Sequence, residues 1–240
     1  MREGHEAERE QLRLSNLHAF YGESHILHGV DLTVHRGELV TLLGRNGSGR
    51  STILKSIMGM VGRRTGSIMI NGKETTTLPP YQIPRLGAGY CPEERGIFAS
   101  LDVEENLLLP PTVRSGGMSL DEIYAMFPNL YERRRSQGTR LSGGEQQMLA
   151  MARILRTGAN LLLLDEITEG LAPVIVRKLG EVLQRLKEKE LTIVLVEQNF
   201  RFAAPLADRH YLIEHGRVVD QFSAEELDGR REQLNRMLGV

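Results

Sequence analysis

The stretch Gly44-Arg45-Asn46-Gly47-Ser48-Gly49-Arg50-Ser51-Thr52 constrains the fold more than any other part of the chain. It follows a short apolar run, Leu39 to Leu43, and leads into Ser51 to Met60, where Ile53, Leu54 and Ile57 recur at helical spacing. Strand, glycine-rich loop and helix form the setting of a phosphate-binding loop. Its glycines let consecutive backbone N–H groups turn toward an anion at a helix N-terminus. The strict pattern G-x-x-x-x-G-K-[ST] is not met, because Arg50 stands at the lysine position. The charge survives, but a planar guanidinium is bulkier than a compact ammonium. Taken alone, the loop could also be a glycine-rich turn without a ligand.

A second element is Leu161-Leu162-Leu163-Leu164-Asp165-Glu166, an apolar strand ending in two adjacent carboxylates. Neighbouring side chains at a strand end point in different directions, so Asp165 can hold Mg2+ through water while Glu166 faces a water beside a terminal phosphate. By itself this run reads equally well as a strand capped by a polar turn. The loop upstream favours the first reading. A third element, Leu141-Ser142-Gly143-Gly144-Glu145-Gln146-Gln147, combines glycines, a serine and a helix start at Glu145 into a second anion site far along the chain from the first.

Further unbroken apolar runs, such as Ile193 to Val196, lie between helical stretches and predict a parallel sheet covered on both faces. Between them the character changes. Prolines punctuate the chain from Pro79 to Pro128, and Asp121 to Tyr131 and Gly144 to Leu155 have amphipathic helical spacing. The expected organisation is one domain over 1–240. It has a nucleotide-binding core at about 1–88 and 158–240, and a mainly helical lobe at about 89–157 inserted into it.

Composition narrows the function. The 30 basic residues nearly cancel the 31 acidic ones, so no global field draws the chain to nucleic acid or anionic lipid. The charged start MREGHEAERE lacks the apolar middle of a secretory signal, and no run approaches the length of a membrane span. A cytoplasmic protein is expected. The one cysteine, Cys91, excludes an internal disulfide framework and reads as an inert packed thiol. The histidines show no metal-site spacing.

LSGGEQQ resembles the signature motif of the ATP-binding cassette (ABC) ATPases. Its position after the phosphate loop and just before LLLLDE is the order of that family. The resemblance runs from about Leu12 to Val240. It implies an α/β fold: a P-loop NTPase core with a mainly parallel sheet, an ABC-type antiparallel β subdomain and an inserted helical lobe. It also implies ATP and Mg2+ as ligands and a head-to-tail dimer, in which each nucleotide lies between one subunit's loop (Gly44, Asn46, Gly47, Ser48, Gly49, Arg50, Ser51, Thr52) and Ser142, Gly143 and Gly144 of the other. Tyr21 resembles the aromatic residue that stacks on adenine. Glu166 matches the general base, Ser51 and Asp165 the Mg2+ ligands, and Gln198 the switch position, where most of the family has histidine. Glu93 stands where most of the family has glutamine, in the loop joining core to lobe, and is a further candidate for nucleotide and metal contact.

PEERGIF, TEGLAP and VEQN together resemble the LivF-type subunits of importers for branched-chain amino acids and related amides. That resemblance accounts for Glu93 and Gln198 but leaves Arg50 unexplained. It implies membrane permease subunits as partners, a second ATP-binding subunit, an indirect link to a solute-binding protein outside the membrane, no nucleic acid, and a peripheral place on the inner face of the membrane. Two other readings stand beside it. One is a hydrolysis-impaired nucleotide-binding subunit, favoured by Arg50 and opposed by Glu166. The other is a soluble ABC protein of translation or DNA maintenance, which this chain lacks the length or the sustained heptads to be.

Overall fold

The computed structural model describes residues 9–227 together with Gly229, Arg230 and Leu234; most of the charged start MREGHEAERE lies outside the described residues. Two sheets organise the chain. The first is antiparallel, in the order β2 (Ser24–His35), β1 (Glu10–Tyr21), β4 (Arg63–Ile70), β5 (Lys73–Glu74). The second runs β10 (Arg217–Ser223), β9 (Arg209–Glu214), β3 (Leu39–Leu43), β8 (Thr192–Val196), β7 (Leu161–Asp165), β6 (Ala88–Cys91). All its neighbours are parallel except the β9–β10 hairpin.

The central strands β3, β7 and β8 are buried at every position. That is why they read as apolar runs interrupted only by Thr41, Thr192 and Asp165: both faces are covered, so most positions meet no water. The period-two alternation still sorts the side chains. Leu162 and Leu164 of β7, with Ile193 and Leu195 of β8, pack beneath α5 (Gly143–Arg156) and α6 (Pro173–Glu188), among Leu149, Leu179 and Leu183. Leu161, Leu163, Val194 and Val196 face the other way, against the antiparallel sheet and α1 (Arg50–Ile57), among Leu12, Leu14, Ile53 and Leu54. Each such leucine contributes about 1.5–3 kcal/mol by leaving water.

Between β6 and β7 the chain forms only helices and turns apart from a single bridge, Asp102 to Gln137. The helices are α2 (Val103–Leu108), α3 (Leu120–Met126), α4 (Pro128–Glu132) and α5. The stretch Asp121 to Tyr131, expected as one helix, is two, broken at Phe127 (φ −127°, ψ 72°). Pro128 disfavours α geometry in the residue before it and cannot donate to the preceding turn. Helix α5 begins at Gly143, earlier than the expected start at Glu145. Ser142 is its N-cap and Glu145 closes a reciprocal capping box. Helix α7 (Phe200–Ala203) follows β8. Cys91 is fully buried, and burial pushes its thiol up to about 12, in keeping with an inert packed thiol. Among the described residues no helix is long and apolar enough to cross a membrane.

Candidate nucleotide site

Strand β3 delivers the loop 44–49 to the N-terminus of α1. A Cβ at Gly44 would lie 2.4 Å from the Ile213 carbonyl oxygen and 2.7 Å from Ser48 Oγ, so the loop folds this tightly only with glycine there. Gly49 caps α1 in the left-handed region at φ 104°. The loop is pinned from behind by β10's turn, where the Gly216 N–H donates to the Ser48 carbonyl at 2.8 Å.

The alternation of β7 decides which carboxylate faces α1. Asp165 follows Leu161 and Leu163 on that face, and Ser51 Oγ donates to its Oδ1 at 2.9 Å. Its Oδ2 accepts from the Tyr90 hydroxyl at 3.0 Å. Burial raises the Asp165 pKa against the lowering effect of these two bonds, and the same burial beside Asp165 raises that of Tyr90. Ser51 and Asp165 thus bring two oxygen ligands together at the mouth of α1, a donor set that suits a hard cation such as Mg2+. Tyr90 orients Asp165 from the adjacent strand. Sequence reasoning assigned it no role, although its position at the end of a strand beside LLLLDE is the signal that could have found it.

Glu166 leaves the strand in the left-handed region (φ 48°), held by its N–H to the Val196 carbonyl at 2.9 Å. Both its oxygens are engaged: Oε1 by Arg50 Nη2 at 3.0 Å, Oε2 by Gln198 Nε2 at 2.6 Å. Arg50 is 3% exposed, and it also donates from Nη1 to the Glu197 carbonyl at 2.8 Å and from Nη2 to Asn46 Oδ1 at 3.4 Å. Burial lowers its pKa, partly offset by Glu166 and its neighbouring carboxylates. The cation of the loop therefore rests on the candidate base. The set uses two separate nitrogens, Nη1 and Nη2, which the planar fork supplies and the single nitrogen of an ammonium does not.

Next to Gln198, the Glu197 side chain turns to the opposite face and accepts from the Thr168 N–H at 3.0 Å and the Thr168 hydroxyl at 2.9 Å. It ties the loop after Glu166 to the end of β8. Burial raises its pKa to about 7 despite these bonds.

Most of the loop, with Glu166 and Gln198, lines one cleft of about 440 Å³; Gly44 and Asp165 lie behind its wall, Asp165 bonded to Ser51. Asn46, Gly47, Ser48, Gly49, Arg50, Ser51 and Thr52 form part of its wall, with Tyr21 and Ile26 from the β1–β2 hairpin and Glu93, Glu166, Glu169 and Gln198 completing it. Tyr21 is 46% exposed and free to receive a planar ring. Carboxylate oxygens of Glu93, Glu166 and Glu169 lie within 4.8 Å of one another. Glu93 is raised by burial and then by Glu166, and Glu169 by its hydrogen bond to Glu166. Glu169, in the TEGLAP run, also lines the cleft.

Ser142, Gly143 and Gly144 do not line this cleft. Ser142 is exposed and its hydroxyl accepts the Glu145 N–H at 3.3 Å, while a Cβ at Gly144 would meet Ile175 Cγ2 at 2.7 Å, so the α5 N-terminus is pressed onto α6. The turn is tied to the Glu93 loop through Arg95 Nη1, which donates to Gln146 Oε1 at 2.8 Å.

The family model described as ABC transporter matches residues 27–169, more than half of the chain. BraG of Pseudomonas aeruginosa, a high-affinity branched-chain amino acid transport ATP-binding protein, is 40% identical over 211 residues, covering 87% of this chain and 91% of BraG. LivF of Archaeoglobus fulgidus, named for branched-chain amino acid transport, is 40% identical over 220 residues, 90% of this chain and 93% of LivF. A dimeric ATP-binding cassette in a post-hydrolysis state, bound to ADP and Pi, superposes with a TM-score of 0.78 at 26% identity over 89% of this chain and 98% of that one. The cleft built around the phosphate loop and Asp165–Glu166 is accordingly that of an ATP-binding cassette, and the chain belongs to the ABC transporter family.

Proposed function

We propose that this ABC ATPase energises the import of branched-chain amino acids or related small amides, with the roles of its residues as follows. The loop 44–52 wraps the phosphates, Tyr21 stacks on the adenine, and Ser51 and Asp165 hold Mg2+, with Glu93 beside them. Mg2+ when bound neutralises charge on the terminal phosphates. Glu166 takes a proton from the attacking water, and Gln198 donates to a terminal phosphate oxygen, a bond it can make without carrying charge. For Glu166 to be free as a base, Arg50 must turn from it to the phosphate, whose charge competes for the guanidinium. The observation that carries this reading is the meeting of Arg50, Ser51, Asp165, Glu166 and Gln198 around one cleft, from three separate stretches of sequence.

A second subunit supplies Ser142, Gly143 and Gly144 to the nucleotide, because these residues lie away from the cleft of their own chain. The partner that anchors the protein at the inner face of the membrane is a permease. A groove of about 570 Å³ supports this: Met60, Pro92, Pro110 and Ile154 line it with apolar surface, and Lys55, Glu94, Arg95 and Arg153 ring it. Its size and character suit a short permease helix. Arg95 and the adjoining Glu93 link that groove to both the signature turn and the cleft.

Replacing Glu166 with Gln tests the chemistry. ATP should still bind while turnover stops, and the protein should shift to an ATP-trapped dimer on size exclusion. Hydrolysis at the wild-type rate would remove Glu166 from the base role. Purification from native membranes tests the partner: ATPase activity of the reconstituted complex should depend on permease and on loaded solute-binding protein, and indifference to both would place the chain outside import.

A further inference from the structure

Three histidines that the nucleotide chemistry does not use meet on the β1–β2 hairpin. His18 and His28 are cross-strand partners, and His25 lies near the turn. The His18 and His25 rings are 5.2 Å apart between centroids, and those of His25 and His28 are 4.0 Å apart. His18 Nδ1 and His25 Nε2 approach to 3.1 Å. Two nitrogens bound to one tetrahedral zinc at about 2.0–2.1 Å each are themselves about 3.3 Å apart, so the pair already stands at ligand spacing. From these contacts we propose that the hairpin binds a divalent transition-metal ion, zinc or nickel, through His18 Nδ1 and His25 Nε2.

The surroundings of His18 favour this use. Its Nε2–H donates to Asn16 Oδ1 at 3.2 Å, which leaves Nδ1 with a lone pair aimed at His25. A hydrogen bond on the far nitrogen that sets the tautomer is the usual support of a metal-ligating imidazole. Asn16 is itself fixed, in the left-handed region (φ 47°) with its N–H donating to Asp31 Oδ1 at 2.8 Å. The pair now shares a proton, His25 Nε2–H pointing at His18 Nδ1. Metal binding moves that proton to His25 Nδ1, so the neutral pair releases no net proton, whereas an imidazolium would. Phe20 stacks on the His25 ring at 4.2 Å and holds its plane, and Arg63 lies over the Phe20 ring at 4.3 Å. Zinc and nickel suit imidazoles where Mg2+ prefers oxygen, so the site is chemically distinct from the carboxylates of the cleft.

The test is a zinc titration of tag-free protein against a chromophoric chelator, with Mg2+ in large excess to occupy carboxylate sites, together with nitrogen NMR of the imidazoles. One equivalent of zinc should bind, shifting the His18 Nδ1 and His25 Nε2 resonances. His18→Ala and His25→Ala should each lose affinity by more than about tenfold, and Asn16→Ala by about tenfold, since it only orients His18. Unaltered affinity in both histidine variants, or resonances that do not move in the wild-type protein, would overturn the proposal. All these side chains are at least partly exposed, and circular dichroism of each variant identifies any that fail to fold; in that case the wild-type resonances decide alone.

Discussion

Arg50 of the phosphate loop lies 3.0 Å from Glu166, the residue in line to act as base, and both are largely buried. The same guanidinium also holds the Glu197 carbonyl, so one side chain spans the loop and the ends of two central strands. An ion pair at this depth has a desolvation cost that its Coulomb attraction only partly offsets, and removing one partner strands the other.

That arrangement sets the expectation for Arg50→Lys. A lysine would lose the simultaneous bonds to Glu197, Glu166 and Asn46 and would release the base, while its compact ammonium would fit between terminal phosphates. ATPase activity or ATP affinity should rise at least about tenfold, which corresponds to about 1.4 kcal/mol. Side-by-side steady-state assays with equal or lower values for the lysine variant would mean that the loop is adapted to arginine.

Glu197 makes stability depend on pH. Its folded pKa, about 7, is above the ordinary glutamate value because burial disfavours the charged form. The folded protein therefore holds this proton more tightly than the unfolded chain, and the associated stability is complete below the ordinary value near 4.5 and lost as pH rises to about 7. Glu197→Gln keeps an acceptor for the Thr168 N–H and a donor for its hydroxyl, but cannot ionise. Relative to wild type, the variant should gain about 2–3 kcal/mol between pH 4.5 and 8. Urea denaturation of both proteins across that range would show parallel curves if Glu197 did not titrate there.

Tyr90→Phe removes the hydroxyl that donates to Asp165 Oδ2 without changing the ring. A hydrogen bond to a charged acceptor contributes about 1.5–3 kcal/mol, and this carboxylate is already pushed up by burial. The variant should lose stability of that order, and the acid limb of its ATPase profile should move to higher pH, since Asp165 would protonate more readily. An unmoved acid limb would leave Tyr90 with a packing role only.

Much of this site was legible along the chain because its chemistry depends on contiguous runs. A glycine such as Gly44 is dictated in part by a clash inside its own loop, with Ser48 Oγ, and an unbroken strand such as Leu161 to Leu164 by burial on both faces, so motif and layer could be read before any fold was known. The order of the three motifs carried the family in the same way. What the sequence left open was every relationship between distant stretches. It showed that Arg50 departs from the loop pattern, but not that it would settle on Glu166, because an ion pair across 116 positions exists only once the sheet brings both ends together. Tyr90 and Glu197 were unremarkable beside their motif neighbours until strand pairing turned one toward Asp165 and the other toward Thr168. The three histidines had no recognisable spacing, since a hairpin register rather than a repeat assembles them. Propensity and burial act on neighbours in sequence and so are written there; hydrogen bonds and charge pairs act over a few ångströms of space, and only the tertiary structure decides which residues share it.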